Sequence, residues 1–109
     1  MKKIILSAIA IAATTTTIYA GCSANGCYGV TIDRLSVTDA GKVLVGTTGN
    51  ESQLDCTPGA GVYMQLTNGS AGQNAIYSML LTAQTTKKPV NLRIVNGSAG
   101  CTISYAFVK

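Results

Sequence analysis

The residues able to do chemistry are few. The 109-residue chain has no histidine, and its acidic side chains are Asp33, Asp39, Glu51 and Asp55. Without histidine there is no Ser-His-Asp or Cys-His nucleophile pair, no histidine general base and little basis for a catalytic zinc. Asp33 and Asp55 are the one pair that can be written as a glycosidase-like carboxylate dyad. Nothing in their spacing requires it, and solvated carboxylates balancing Arg34 and Lys42 are the simpler reading. Gly59-Ala60-Gly61 precedes a strand, whereas a phosphate loop follows a strand and opens a helix. The chain therefore reads as non-enzymatic, without catalytic residues or cofactor.

Binding chemistry is better represented. Beyond the leader the aromatic residues are Tyr28, Tyr63, Tyr77, Tyr105 and Phe107, with no tryptophan. Sugars and bases are commonly held against aromatic faces with amides nearby. Tyr63 is opposite in parity to Val62 and Met64, so it points outward, and Asn68 or Asn91 can supply polar contacts. These three are the ligand-binding candidates, each against the plainer alternative of an ordinary surface residue. Tyr77 lies beside Ile76 on a helix, where a subunit interface can use it. Asn68-Gly69-Ser70 and Asn96-Gly97-Ser98 match a glycosylation pattern but read as turns.

Residues 1–20 have the zones of a cleavable secretory signal. Lys2 and Lys3 begin it, Ile4 to Ala13 is apolar but shorter than the roughly 20 residues that span a bilayer, and Ala20 ends it. The start has a bacterial look, giving a periplasmic or secreted product with no transmembrane anchor. Tyr19-Ala20-Gly21-Cys22 also resembles a lipobox, but lipidation of Cys22 would leave three cysteines unpaired in number. Simple cleavage leaves residues 21–109 as one domain. The charge falls with the leader: the full chain carries +4, and losing Lys2 and Lys3 leaves about +2 with only Lys87-Lys88 adjacent. Nucleic-acid binding is not expected.

Cys22, Cys27, Cys56 and Cys101 all follow the leader, as suits two disulfides in an exported domain too small to rely on its core alone. Four cysteines allow three pairings, and the sequence alone does not choose among them. The favoured one is a local clamp, Cys22–Cys27, with a long-range staple, Cys56–Cys101. A four-thiolate zinc site lacks the usual short ligand spacing, so no metal is expected.

Several elements must position these residues. Tyr28 to Val37 reads as a strand whose alternation slips by one residue around Asp33-Arg34, as a β-bulge would produce. Asp39-Ala40-Gly41 turns the chain into a second strand, Lys42 to Thr47. Thr48 to Gly61 is a polar loop. A third strand runs from Val62 to Thr67, with Val62, Met64 and Leu66 inward. Ser70 and Gln73 fit a capping box. Ile76, Met79, Leu80 and Ala83 then form the apolar face of a helix, with Lys87 and Lys88 in its last turn and Pro89 ending it. Val90, Leu92 and Ile94 mark a fourth strand. Cys101, Ile103, Tyr105 and Phe107 mark a fifth, opposite Thr102, Ser104 and Ala106. The class is mainly β with one helix, in the order β-β-β-α-β-β. That order and the bent first strand match a five-stranded OB-fold barrel, with a flat α+β sandwich as the competitor.

Three stretches carry a resemblance: Ile76-Tyr77-Ser78-Met79-Leu80-Leu81-Thr82-Ala83, Lys88-Pro89-Val90-Asn91-Leu92-Arg93-Ile94 and Cys101-Thr102-Ile103-Ser104-Tyr105. With Cys56 and Val62-Tyr63 upstream, the chain from Tyr28 onward resembles small secreted proteins related to the B subunit of subtilase cytotoxin. The resemblance implies an OB-fold and a cysteine joined to Cys56. For true toxin subunits it implies a homo-pentameric ring that binds sialylated host glycans and carries a separate catalytic subunit. The Cys22/Cys27 pair and the missing tryptophan depart from those subunits, and no glycan-contacting residue is carried over. The expected function is a non-catalytic exported binding subunit, oligomeric, with a glycan or envelope component as ligand. The alternative is a stand-alone periplasmic interaction or inhibitor protein acting through Thr48–Ala60.

Overall fold

The structure, a computed structural model, describes residues 20–108. The expected signal therefore lies outside the described residues except for Ala20. What is described is mainly β with one helix. The strands are β1 (Gly21–Ser23), β2 (Gly26–Val30), β3 (Ile32–Val37), β4 (Val43–Thr47), β5 (Thr57–Pro58), β6 (Met64–Leu66), β7 (Val90–Ile94), β8 (Ala99–Gly100) and β9 (Ile103–Val108), and the helix is α1 (Gln73–Thr86). All five expected strands are present, the first as β2 and β3, which break at Thr31. β1, β5, β8 and a 3-10 turn at Glu51–Gln53 are additional, and the last two of these strands organise what the sequence presents as loop.

The strands form a sheet in the order β1-β2-β7-β9, a second in the order β3-β4-β6, and a parallel two-stranded pair, β5-β8. These are separate open sheets. The third and fifth expected strands meet through one parallel bridge, Gln65 to Thr102, where the Gln65 amide N–H donates to the Cys101 carbonyl at 3.1 Å.

The slip around Asp33 is present. Ile32 pairs with Thr47 and Arg34 with Gly46, leaving Asp33 unpaired as a bulge. Ile32 is thus buried while Leu35, of opposite parity, also packs against the core. A second bulge reverses the expected parity of the last strand. Ile94 pairs with Ile103 but Arg93 with Tyr105, which leaves Ser104 unopposed. Cys101 and Ile103 are buried as expected. Tyr105 and Phe107, expected on the same face, turn outward to 51% and 45% exposure, and Ala106 turns in.

The apolar interior explains why these strands hold. Val30, Val45, Met64, Leu66, Leu80, Val90, Leu92 and Ile94 are all at most 2% exposed, and each such side chain contributes about 1.5–3 kcal/mol on burial. Val62, expected inward, lies before β6 and is 48% exposed.

The helix differs from expectation at both ends. Its N-cap is Gly72 without a side-chain bond, so Ser70 does not cap it. The Gln73 Oε1 instead accepts from the Gly69 N–H at 2.9 Å, and its Nε2 donates to the Gly41 carbonyl at 3.0 Å. That pair ties the helix start to the β3–β4 turn. At the other end Lys87 takes a left-handed conformation (φ 58°), and the Lys87 and Lys88 N–H groups close the final carbonyls. Both lysines lie beyond the last turn, and Pro89 follows. The buried stripe runs through Leu80 and Ala83, with Ile76 and Tyr77 packed on the core, while Met79 faces outward. Tyr77 is thus partly buried against the core.

The disulfides are Cys22–Cys27 and Cys56–Cys101, the favoured pairing. The first joins residues directly opposite in the β1–β2 ladder. The second anchors the segment before β5 to a fully buried cysteine after β8. Two disulfides belong to an oxidising, extracellular or periplasmic environment. Among the described residues no helix is long and apolar enough to cross a membrane.

Candidate ligand-binding groove

The Asp33 bulge, the end of β4 and the residues leading into β6 enclose an open groove of about 420 Å³. A bulge re-aims side chains, and here it places Asp33 and Arg34 on one flank. The opposite flank is Thr47, Thr48, Asn50 and Glu51, and Val62 and Tyr63 complete the lining. Gly46 forms part of the floor beside the Tyr63 ring.

Arg34 and Tyr63 act as one unit. An Arg34 Nη1 donates to the Tyr63 hydroxyl at 2.8 Å, and the guanidinium carbon is 5.9 Å from the ring centroid. The hydrogen bond and charge interaction with Tyr63, with a smaller share from Asp33, raise the Arg34 pKa above its ordinary value. The flank therefore carries the Arg34 guanidinium held against an aromatic face, with the Asp33 carboxylate beside it.

Glu51 is the unexpected member. It reads in sequence as a solvated carboxylate in a polar loop, yet it is 4% exposed. Its Oε2 accepts from the Thr47 N–H at 2.8 Å and the Thr47 hydroxyl at 2.6 Å, and Thr47 Oγ1 accepts from the Gly49 N–H at 3.1 Å. A buried carboxylate persists only with such partners. Asn50 caps the 3-10 turn through its Oδ1, which accepts from the Ser52 N–H at 3.1 Å. The loop is thus a built wall with hydroxyl, amide and carboxylate groups along it.

Of the three expected ligand-binding residues, only Tyr63 lies in this groove. Asn68 donates to the Ala40 carbonyl at 2.7 Å, bracing the β3–β4 turn at the far end of β6. Asn91 accepts from the Gly29 N–H at 2.9 Å, at the irregularity where β2 meets β7 and Gly29 takes a positive φ of 65°. Both do structural work. Asp33 and Asp55 are not brought into one dyad: Asp33 lines the groove, whereas Asp55 Oδ2 accepts from Asn96 Nδ2 at 3.1 Å, beside Asn25. Among the described residues no three His, Cys, Asp or Glu side chains gather as a metal site.

Asp33 and Arg34 had a sequence signal, because the parity slip marks the bulge that aims them. Glu51 had none, since its burial depends on Thr47 and on β1 packing nearby. No family model, no curated protein and no solved structure matches the chain.

Proposed function

We propose that the protein is a non-catalytic exported binding subunit of the kind its sequence resembles, built on a five-stranded OB-type barrel and taking a carbohydrate or envelope glycan in the groove beside Tyr63. The observation that carries this reading is the pairing of an aromatic wall with a fixed polar one. The Tyr63 ring, held by Arg34, lines the groove with a loop that presents Thr48 and Asn50, braced by the buried Thr47–Glu51 pair. Sugars are held by that combination, the ring taking apolar C–H faces while directional polar groups select hydroxyls.

The order of neighbours supports the barrel. β6 lies beside β4, β4 beside β3, β2 beside β7 and β7 beside β9, and the chain before β9 returns in parallel to β6. Both disulfides and the signal-like leader support export. Stacked Tyr105 and Phe107, with ring centroids 6.3 Å apart on an exposed face, suit contact with further copies in a ring. A separate catalytic subunit would be the partner of that ring.

A glycan array probed with oxidised protein tests the ligand class. Binding is expected, with Tyr63→Ala weakening it by about tenfold or more. Silence across the array from folded protein would remove the carbohydrate reading. Light scattering tests assembly: a pentameric mass is expected, and a monomer at tens of micromolar would remove the ring.

A further inference from the structure

We infer that the Cys22–Cys27 disulfide is a redox-sensitive clamp that sets the groove's polar wall. This rests on the groove being the ligand site. Three contacts link the clamp to that wall. Cys22 Sγ lies 4.0 Å from Thr47 Oγ1, the hydroxyl that bonds Glu51. The Gly49 backbone packs directly on the same sulfur, so a Cβ there would sit 2.7 Å from it. The turn between β1 and β2 grips the far end of the wall, with the Ala24 N–H donating to the Gln53 carbonyl at 3.1 Å and its carbonyl accepting from the Asp55 N–H at 2.8 Å.

The grip is strained. Ala24 has a φ of 41°, a left-handed backbone that a residue with a Cβ holds only when its surroundings impose it. The disulfide closes a β1–β2 turn of a few residues and imposes that conformation. Among the described residues β1 is an edge strand paired in its sheet with β2 alone. Once the bond is open, Ala24 is held chiefly by its two backbone hydrogen bonds to Gln53 and Asp55, the contacts that the strained turn must keep aligned.

The bond is also reachable. Cys22 lines an open hollow with Gly21, Ser23 and Tyr28, whereas Cys27 is fully buried. A dithiol reductant attacks Cys22 Sγ, breaking the S–S bond and releasing Cys27 as a thiol through a mixed disulfide. The second thiol of the reductant then closes its own disulfide and frees Cys22. Two electrons and two protons pass to the protein, and the reductant is oxidised. Cys56–Cys101 likewise joins a partly buried cysteine to a fully buried one, but it closes a loop of 45 residues instead of a short turn and keeps the remaining fold together.

The test is hydrogen exchange on the oxidised protein and on the Cys22→Ser/Cys27→Ser double variant. Amides of residues 47–55 are expected to exchange about tenfold faster in the variant, with those of β7 and β9 unchanged. Unchanged exchange over 47–55 would overturn the clamp. So would loss of protection throughout the chain, because the disulfide would then hold the whole fold. Stepwise dithiothreitol with alkylation gives a second reading: Cys22 and Cys27 should label before Cys56 and Cys101, and the reverse order refutes the inference. Neither readout needs a ligand, so a groove that binds no glycan and a clamp that does not act are told apart.

Discussion

At the scale of single residues, the most consequential side chain is Glu51. Its carboxylate is removed from water and held by two donors of Thr47. Replacing Glu51 by Ala leaves a buried N–H and hydroxyl without their acceptor, and urea denaturation is expected to show a loss of about 2 kcal/mol. Gly26 is a second such residue. A Cβ there would run into the Leu92 carbonyl where β2 crosses β7. The strand cannot give way without breaking the ladder, so Gly26→Ala is expected to lower the melting temperature sharply, by about 10 °C or more. Neither effect follows from residue type. A glutamate in a Gly-rich loop is ordinarily solvated, and a glycine in a strand ordinarily marks only flexibility.

At the scale of elements, the two bulges decide which faces the strands show. The slip at Asp33 was legible because Val30 and Ile32 keep one parity and Leu35 the other. The slip at Ser104 was not, because Cys101, Ile103, Tyr105 and Phe107 alternate without fault. An amphipathic run allows either face of an aromatic to be exposed, and pairing with β7 chose the outward one. The helix start departs from its sequence pattern for a related reason. Ser70 and Gln73 have capping-box spacing, but Gln73 spends its side chain on Gly69 and on Gly41 of a distant turn. Ser70→Ala should therefore change stability by less than about 0.5 kcal/mol, whereas Gln73→Ala should cost about 1 kcal/mol, both read from thermal melts.

At the scale of the whole molecule, the long disulfide stands in for core that a small domain lacks. Cys56 and Cys101 are 45 residues apart, and removing the bond by a double alanine substitution is expected to cost about 4 kcal/mol on the chain-entropy account, measured by urea denaturation. The five longer strand regions and the helix could be reached from the amino-acid sequence, whereas β1, β5 and β8 could not, and the cysteine pairing was favoured among three without being fixed. Period-two and period-3.6 patterns are local consequences of burying one face, and they survive whatever the element packs against. The groove could not be reached in that way. It needs the Asp33 bulge, the end of β4 and the approach to β6 in one place, and these segments are separated in the chain. Tyr63 was singled out by its outward parity, but Asn68 and Asn91 were claimed by backbone groups of other segments. Local pattern decides whether a side chain faces in or out; which groups it then meets depends on long-range pairing, and that only the tertiary structure decided.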